Sequence, residues 1–102
     1  MIGQFNITGA LTQELIPAGS NAKVSSIWLT NIHASDAVTV DLYIEKKLTG
    51  KFYFLNSQSI ANANYLFLEN MNFNNRSGEF GLYIKLTKSA SETPAVDVII
   101  SV

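Results

Sequence analysis

The sequence predicts an all-β domain, an antiparallel β-sandwich or jelly-roll-like fold with little or no helix. Three observations predict it. Apolar residues recur with period two over most of the chain, as in strands with one buried face. Turn-forming clusters interrupt that pattern about every 8–12 residues, the rhythm of a sandwich or small barrel. No window of helical length carries a 3.6-residue period.

The clearest strand is Val38-Thr39-Val40-Asp41-Leu42-Tyr43-Ile44-Glu45. Val38, Val40, Leu42 and Ile44 share one face, and Thr39, Asp41, Tyr43 and Glu45 share the other. Leu82 to Thr87 repeats the alternation, and so does Val96 to Val102, where Ile99 is the one apolar residue on the polar face. Thr12 to Ile16 reads as a short strand closed by the turn Pro17-Ala18-Gly19-Ser20-Asn21, since proline presets φ and glycine or asparagine accepts φ > 0. Lys23 to Ile32 is a long strand of mixed phase. Ile27 and Leu29 want one face and Val24 and Trp28 the other, which a bulge near Ser25-Ser26 reconciles. Phe52 to Leu55, Tyr65 to Leu68 and Met71 to Phe73 complete about eight short strands. Turns are expected at His33 to Ala37, Lys46 to Lys51, Asn74 to Gly78 and Ser89 to Pro94, with room for one helical turn in Asn56 to Asn64.

The chain of 102 residues suits a single domain, residues 1–102. Hydrophobic residues make up 47%, enough for one core and too many for a disordered chain. Charged residues are sparse at 15%, and the net charge is −1. The seven basic residues are scattered, with Lys46-Lys47 the only adjacent pair. A nucleic-acid binder needs a basic stripe to displace phosphate counterions, so no nucleic-acid partner is expected. No stretch reaches the roughly 20 apolar residues of a membrane helix, and residues 1–6 lack a signal-peptide pattern. A chain made in the host cytoplasm, with no membrane partner, is therefore expected.

Groups that carry chemistry are few. Cysteine is absent, and His33 is the only histidine. One histidine with Asp36 beside it falls short of a metal site's three or four ligands, so neither metal nor cofactor is expected. No nucleophile elbow occurs around any serine. Asp41, Glu45 and Asp97 fall on solvent faces of strands, where carboxylates are ordinarily solvated, and a glycosidase would need two facing across a cleft. Gly78-Glu79-Phe80-Gly81 lacks the following helix of a phosphate loop. The two N-x-[ST] triplets, at Asn6 and Asn75, are about what chance supplies. No catalytic residue is expected, and the chain is read as a binding protein, not an enzyme.

The positive signal is aromatic. Tyr43 and Tyr83 fall on the polar faces of their strands, and Trp28 opposes Ile27 and Leu29. Tyrosine and tryptophan on a wet face supply the large, polar-tipped contact area that interfaces favour, so Trp28, Tyr43 and Tyr83 are the candidate interaction residues. The structural alternative is that the tyrosines are cross-strand partners and Trp28 belongs to the core.

The order Pro17-Ala18-Gly19, then Ser26-Ile27-Trp28-Leu29-Thr30-Asn31, then Ala37-Val38-Thr39-Val40-Asp41-Leu42 resembles the small β-sandwich virion modules of tailed bacteriophages. In those modules a P-A-G turn leads to an S-I-x-L-x-N strand and then to an A-V-T-V-x-L strand. The closing strands Phe80 to Leu86 and Val96 to Val102 are similar too. The chain departs from the pattern over Asn56 to Asn75, with Ser77-Gly78-Glu79 the nearest match to a second turn. The resemblance implies a structural component of the virion. The expected role is a capsid decoration (cement) protein that binds the major capsid protein or other virion proteins. It also implies a homo-oligomer, with a trimer expected at a threefold position. The alternative is a tail- or fibre-associated adaptor or host-glycan-binding module, with Tyr43 or Trp28 stacking on sugar rings.

Overall fold

The period-two segments close into two antiparallel sheets. The computed structural model describes residues 2–20, 22–46, 50–75 and 80–101. In chain order the strands are β1 (Ile2–Thr8), β2 (Thr12–Ile16), β3 (Lys23–Val24), β4 (Ser26–Asn31) and β5 (Val38–Lys46). They continue as β6 (Gly50–Ile60), β7 (Tyr65–Leu68), β8 (Phe73–Asn74), β9 (Phe80–Lys88) and β10 (Ala95–Ser101). One sheet runs β1-β10-β4-β7 and the other β2-β9-β5-β6. Apart from the β5–β6 hairpin, the long strands alternate between the two sheets along the chain, which is jelly-roll topology. No helix occurs among the described residues.

The core lies between the sheets; period two assigned the residues of β5, β9 and β10 to it, and the structure adds Ile27 and Leu29 of β4, where the sequence left the phase mixed. Ile27 and Leu29 of β4 and Val96, Val98 and Ile100 of β10 face Val38, Val40 and Leu42 of β5 and Leu82, Ile84 and Leu86 of β9. Each such side chain contributes roughly 1.5–3 kcal/mol by leaving water. These four strands are the central ones, so both their edges are paired and their inner faces are the most deeply covered.

Several elements differ from the sequence expectation, among them the expected Met71 to Phe73 strand, which begins only at Phe73 as β8. Ile2–Thr8 forms a full edge strand on β10, with Ile7 buried; its Phe5/Ile7 alternation against Gln4 and Asn6 is the signal that identifies it. Asn56 to Asn64 holds no helical turn. Asn56 to Ile60 continues β6, and the chain then reverses through Ala61 to Asn64, where the Asn64 N–H donates to Ala61 O at 3.1 Å. The long strand from Lys23 breaks at Ser25, near the expected bulge. Ser25 N–H donates to Ser101 O, its carbonyl accepts from Met71 N–H, and β3 leaves the sheet to pair with β8. That break lets Val24 and Ile27 both be buried although they are three residues apart. The expected Ser77-Gly78-Glu79 turn and the middle of the Lys46 to Lys51 turn lie outside the described residues.

Two buried asparagines join segments far apart in sequence. Asn31, at the end of β4, donates from Nδ2 to Ile60 O (2.9 Å) and Asp36 O (3.0 Å), and its Oδ1 accepts from His33 N–H (2.9 Å). Asn75 accepts from Ala22 N–H at Oδ1 (2.6 Å), and its Nδ2 lies 2.8 Å from Pro17 O, 3.1 Å from Ser20 Oγ and 3.3 Å from Phe80 O. The Pro17 to Ser20 turn is thereby tied to the start of β9. Both side chains are within hydrogen-bond reach of partners at both ends, which is the condition for burying an amide without penalty.

The β9–β10 turn is held by one carboxylate. Glu92 accepts from Ser89 N–H (2.7 Å), Ser89 Oγ (3.1 Å) and Ala90 N–H (2.8 Å). The Ser89 N–H is the chief cause that lowers its pKa from 4.5 to about 2. A value depressed on folding means the cap stabilises the turn fully above 4.5 and is lost as the pH falls through about 2. In an NMR titration the Ser89 and Ala90 amides should move with a midpoint near 2. A midpoint at an ordinary carboxylate value would show that the cap does not form in solution.

Candidate binding surfaces

The two outer faces of the sandwich carry different side chains, because each sheet's register lines up different residues. On the β2-β9-β5-β6 sheet, Tyr43 is directly opposite Tyr53 on one side and Tyr83 on the other. Ring centroids are 5.3 Å apart for Tyr43–Tyr53 and 5.7 Å apart for Tyr43–Tyr83. Tyr83 is in turn opposite Glu14 and donates its hydroxyl to Glu14 Oε2 at 3.2 Å. The result is a ladder, Tyr53–Tyr43–Tyr83–Glu14, across all four strands. Burial, followed by the hydrogen bond and charge of Glu14, raises the Tyr83 pKa, so the phenol stays neutral beyond the usual tyrosine range.

Tyr43 is therefore placed on the outer face, as its parity predicts, yet it is only 3% exposed. Its neighbours enclose it, and the Lys51 ammonium sits 4.8 Å above its ring in a cation–π contact. Sequence parity reports direction but not cover. Tyr83 lies beside Gly81, where a β-carbon would approach the Tyr83 ring to 3.0 Å and Ile16 O to 3.2 Å. The glycine leaves the space that the tyrosine occupies.

β6 is the free edge of this sheet and carries three consecutive aromatics. Phe52 is 55% and Tyr53 47% exposed, and Phe54 is also exposed. Two bulges interrupt the strand. Asn56 and Ser57 together oppose Asp41, whose carboxylate accepts from Ser57 N–H, and Phe54 is an extra residue between the Leu42–Leu55 and Tyr43–Tyr53 pairs. Phe54 turns edge-on toward Phe73, and Phe52 edge-on toward Phe80. Bulges twist an edge away from strand addition, so what β6 offers is its side chains rather than its backbone. Sequence reasoning did not single out this surface. The available signal was the run itself, because three adjacent aromatics on a strand cannot all face one core.

Trp28 stands on the outer face of the other sheet, opposite to Ile27 and Leu29 as expected, and is 37% exposed. It stacks on Tyr65 with centroids 4.7 Å apart and planes 10° apart, and touches Phe67 at 4.9 Å. Ile99 pairs with it across β10 and is likewise exposed. Of the three sequence-predicted residues, Tyr43 and Tyr83 are thus neighbours on one face, and Trp28 lies on the opposite face of the sandwich.

His33 organises its own turn. Its Nδ1 accepts from Ser35 N–H (3.2 Å) and Asp36 N–H (3.0 Å). Asp97 accepts from Asn6 Nδ2 at 2.7 Å. Among the described residues no three His, Asp or Glu side chains converge as a metal cluster would require.

No family model matches the chain, and no curated protein matches it in sequence. Solved structures do share its fold. A Yersinia pseudotuberculosis-derived mitogen matches over 100% of this chain and 86% of its own, with a TM-score of 0.58 and 13% identity. The SPBc2 prophage-derived protein YomS matches over 98% of this chain and 94% of its own, with a TM-score of 0.51 and 13% identity. The infectious bursal disease virus VP2 subviral particle matches over 97% of this chain and 32% of its own, with a TM-score of 0.41 and 9% identity. At these identities the first two likenesses establish a common fold.

Proposed function

We propose that this chain is a structural protein of a tailed-phage particle, a decoration (cement) protein that binds and reinforces neighbouring subunits of the shell. The observation that carries the reading is the aromatic edge of β6. Phe52, Tyr53 and Phe54 are exposed on a low-charge domain, and apolar rings gathered at a surface favour a protein partner that covers them. The resemblance of the Pro17-Ala18-Gly19 turn and the strands after it to phage virion modules supports the same reading. So does the fold shared with a prophage-derived protein, as fold alone. The partner is the major capsid protein or another virion protein, and the protein works by contact, not catalysis. Many weak copies suffice, because symmetry and linked sites raise the effective concentration. A homo-oligomer, and a trimer at a threefold axis, is the form this role implies.

Quantitative mass spectrometry of purified particles from the producing host tests the reading. The chain is expected at a copy number comparable to that of the shell protein, and its absence from particles overturns the proposal. In re-binding to particles stripped of it, the combined change Phe52→Ser and Phe54→Ser should weaken association at least about tenfold, whereas Trp28→Ser should leave it unchanged.

A further inference from the structure

The outer face of the β1-β10-β4-β7 sheet has a composition that shell binding does not explain. Its strand register sorts the outward side chains into two parallel rows. One row is apolar beyond its first member: Gln4, Ile99, Trp28, Phe67. The next is polar until its last: Asn6, Asp97, Thr30, Tyr65. Each row crosses four strands and is roughly 14 Å long at the usual interstrand spacing. A shallow groove lined by Gln4, Asn6, Asp97 and Ile99 opens at the β1 end.

The polar groups in that groove have capacity to spare. Asn6 donates to one oxygen of Asp97, Oδ1, which leaves Oδ2 as an acceptor. Among the described residues, neither the Gln4 amide nor the hydroxyl of Thr30, next to Asp97 on β4, has a side-chain partner. Among the described residues, no outward position of these four strands is a lysine or arginine, and Asp97 places a carboxylate on the face. At the other end, the Trp28–Tyr65 stack covers one face of each ring, and Tyr65, 59% exposed, keeps its other face open.

We propose that this face is a binding site for a short neutral oligosaccharide. A pyranose ring has an apolar C–H face and a rim of hydroxyls, and the paired rows present the complement of both. Trp28, Tyr65 and Ile99 receive the C–H faces. Asp97, Asn6 and Gln4 accept from and donate to the hydroxyls. The length of a row suits several rings rather than a single sugar. The Asp97 carboxylate repels sialylated and sulfated glycans and so favours neutral ones. The site is on the outer face of one sheet, and the β6 edge belongs to the other. The two proposals therefore stand or fall separately.

Two-dimensional NMR of the full chain with a panel of neutral oligosaccharides (gluco-, galacto-, manno- and N-acetylglucosamine series) at millimolar concentration tests the proposal. At least one series should shift the Trp28 indole N–H and the Gln4 and Asn6 side-chain amides together. Sialylated and sulfated panels should shift them less. Trp28→Ala and Gln4→Ala should each weaken the bound series about tenfold. Gln4 is a surface residue whose loss leaves the fold intact, which separates lost binding from lost structure. Three results would overturn the proposal: no neutral series shifting these groups, shifts confined to the tyrosine ladder, or charged glycans binding as well as neutral ones. Concentration-dependent shifts of the same groups without any sugar would assign the face to a second copy of the chain, and would overturn it too.

Discussion

Replacing Asn31 with alanine is expected to lower the unfolding free energy by about 3 kcal/mol, on the order of 1 kcal/mol for each of three hydrogen bonds lost. The side chain is fully buried, and it is the partner of Ile60 O, Asp36 O and His33 N–H. Truncation leaves these groups facing a cavity, and an unpaired buried polar group bears its desolvation cost without return. Asn31→Asp should be at least as damaging, since it aims a carboxylate oxygen at two carbonyl oxygens. The control is Asn62→Ala, which removes one long contact to Ala34 O (3.4 Å) on the surface and should stay within about 0.5 kcal/mol of the parent. Urea unfolding at constant m-value measures both. An Asn31→Ala variant as stable as Asn62→Ala would mean that water reaches the three groups.

Leu42→Ala carries the other large expected loss, about 3–4 kcal/mol, as lost transfer free energy plus a cavity. Leu42 is fully buried in the centre of β5, and its partner Leu55 lies between the two bulges of β6. Paired strands on both sides limit how far the site can collapse. The adjacent Tyr43→Ala removes a larger side chain that is almost as well buried, yet should cost less. Its vacancy opens on the outer face, where water enters and Tyr53, Tyr83 and Lys51 can settle into it. If Tyr43→Ala proved the more damaging of the two, the ladder, not the core, would be the main source of cohesion in this sheet.

The contrast between these neighbours marks how far the residues alone could be read. Alternation along Val38 to Glu45 places Leu42 inward and Tyr43 outward, and both directions hold. The same rule puts Asn31 on the face of Ile27 and Leu29, so a buried amide was legible at that position although sequence reasoning passed over it. Asn75 offered no such signal, because its cover comes from the Pro17 to Ser20 turn more than fifty residues away. For the candidate surfaces, Trp28 was found and Tyr65 and Phe67 were not. Tyr65-Leu66-Phe67-Leu68 is apolar at every position, and such a run has no phase to read.

The sequence by itself determined the fold class, the inward sets of β5, β9 and β10, and the turn that leads from β2 toward β3. Those follow from local chemistry: successive side chains on a strand point opposite ways, and the apolar ones leave water. Only the tertiary structure decided which outward residues meet solvent. Tyr43 and Tyr65 are both outward tyrosines, yet one lies between two strands that bring Tyr53 and Tyr83 over it, and the other stands on an edge with one neighbour. Cover depends on which strands the topology sets side by side and in what register, and no short stretch of sequence contains that information.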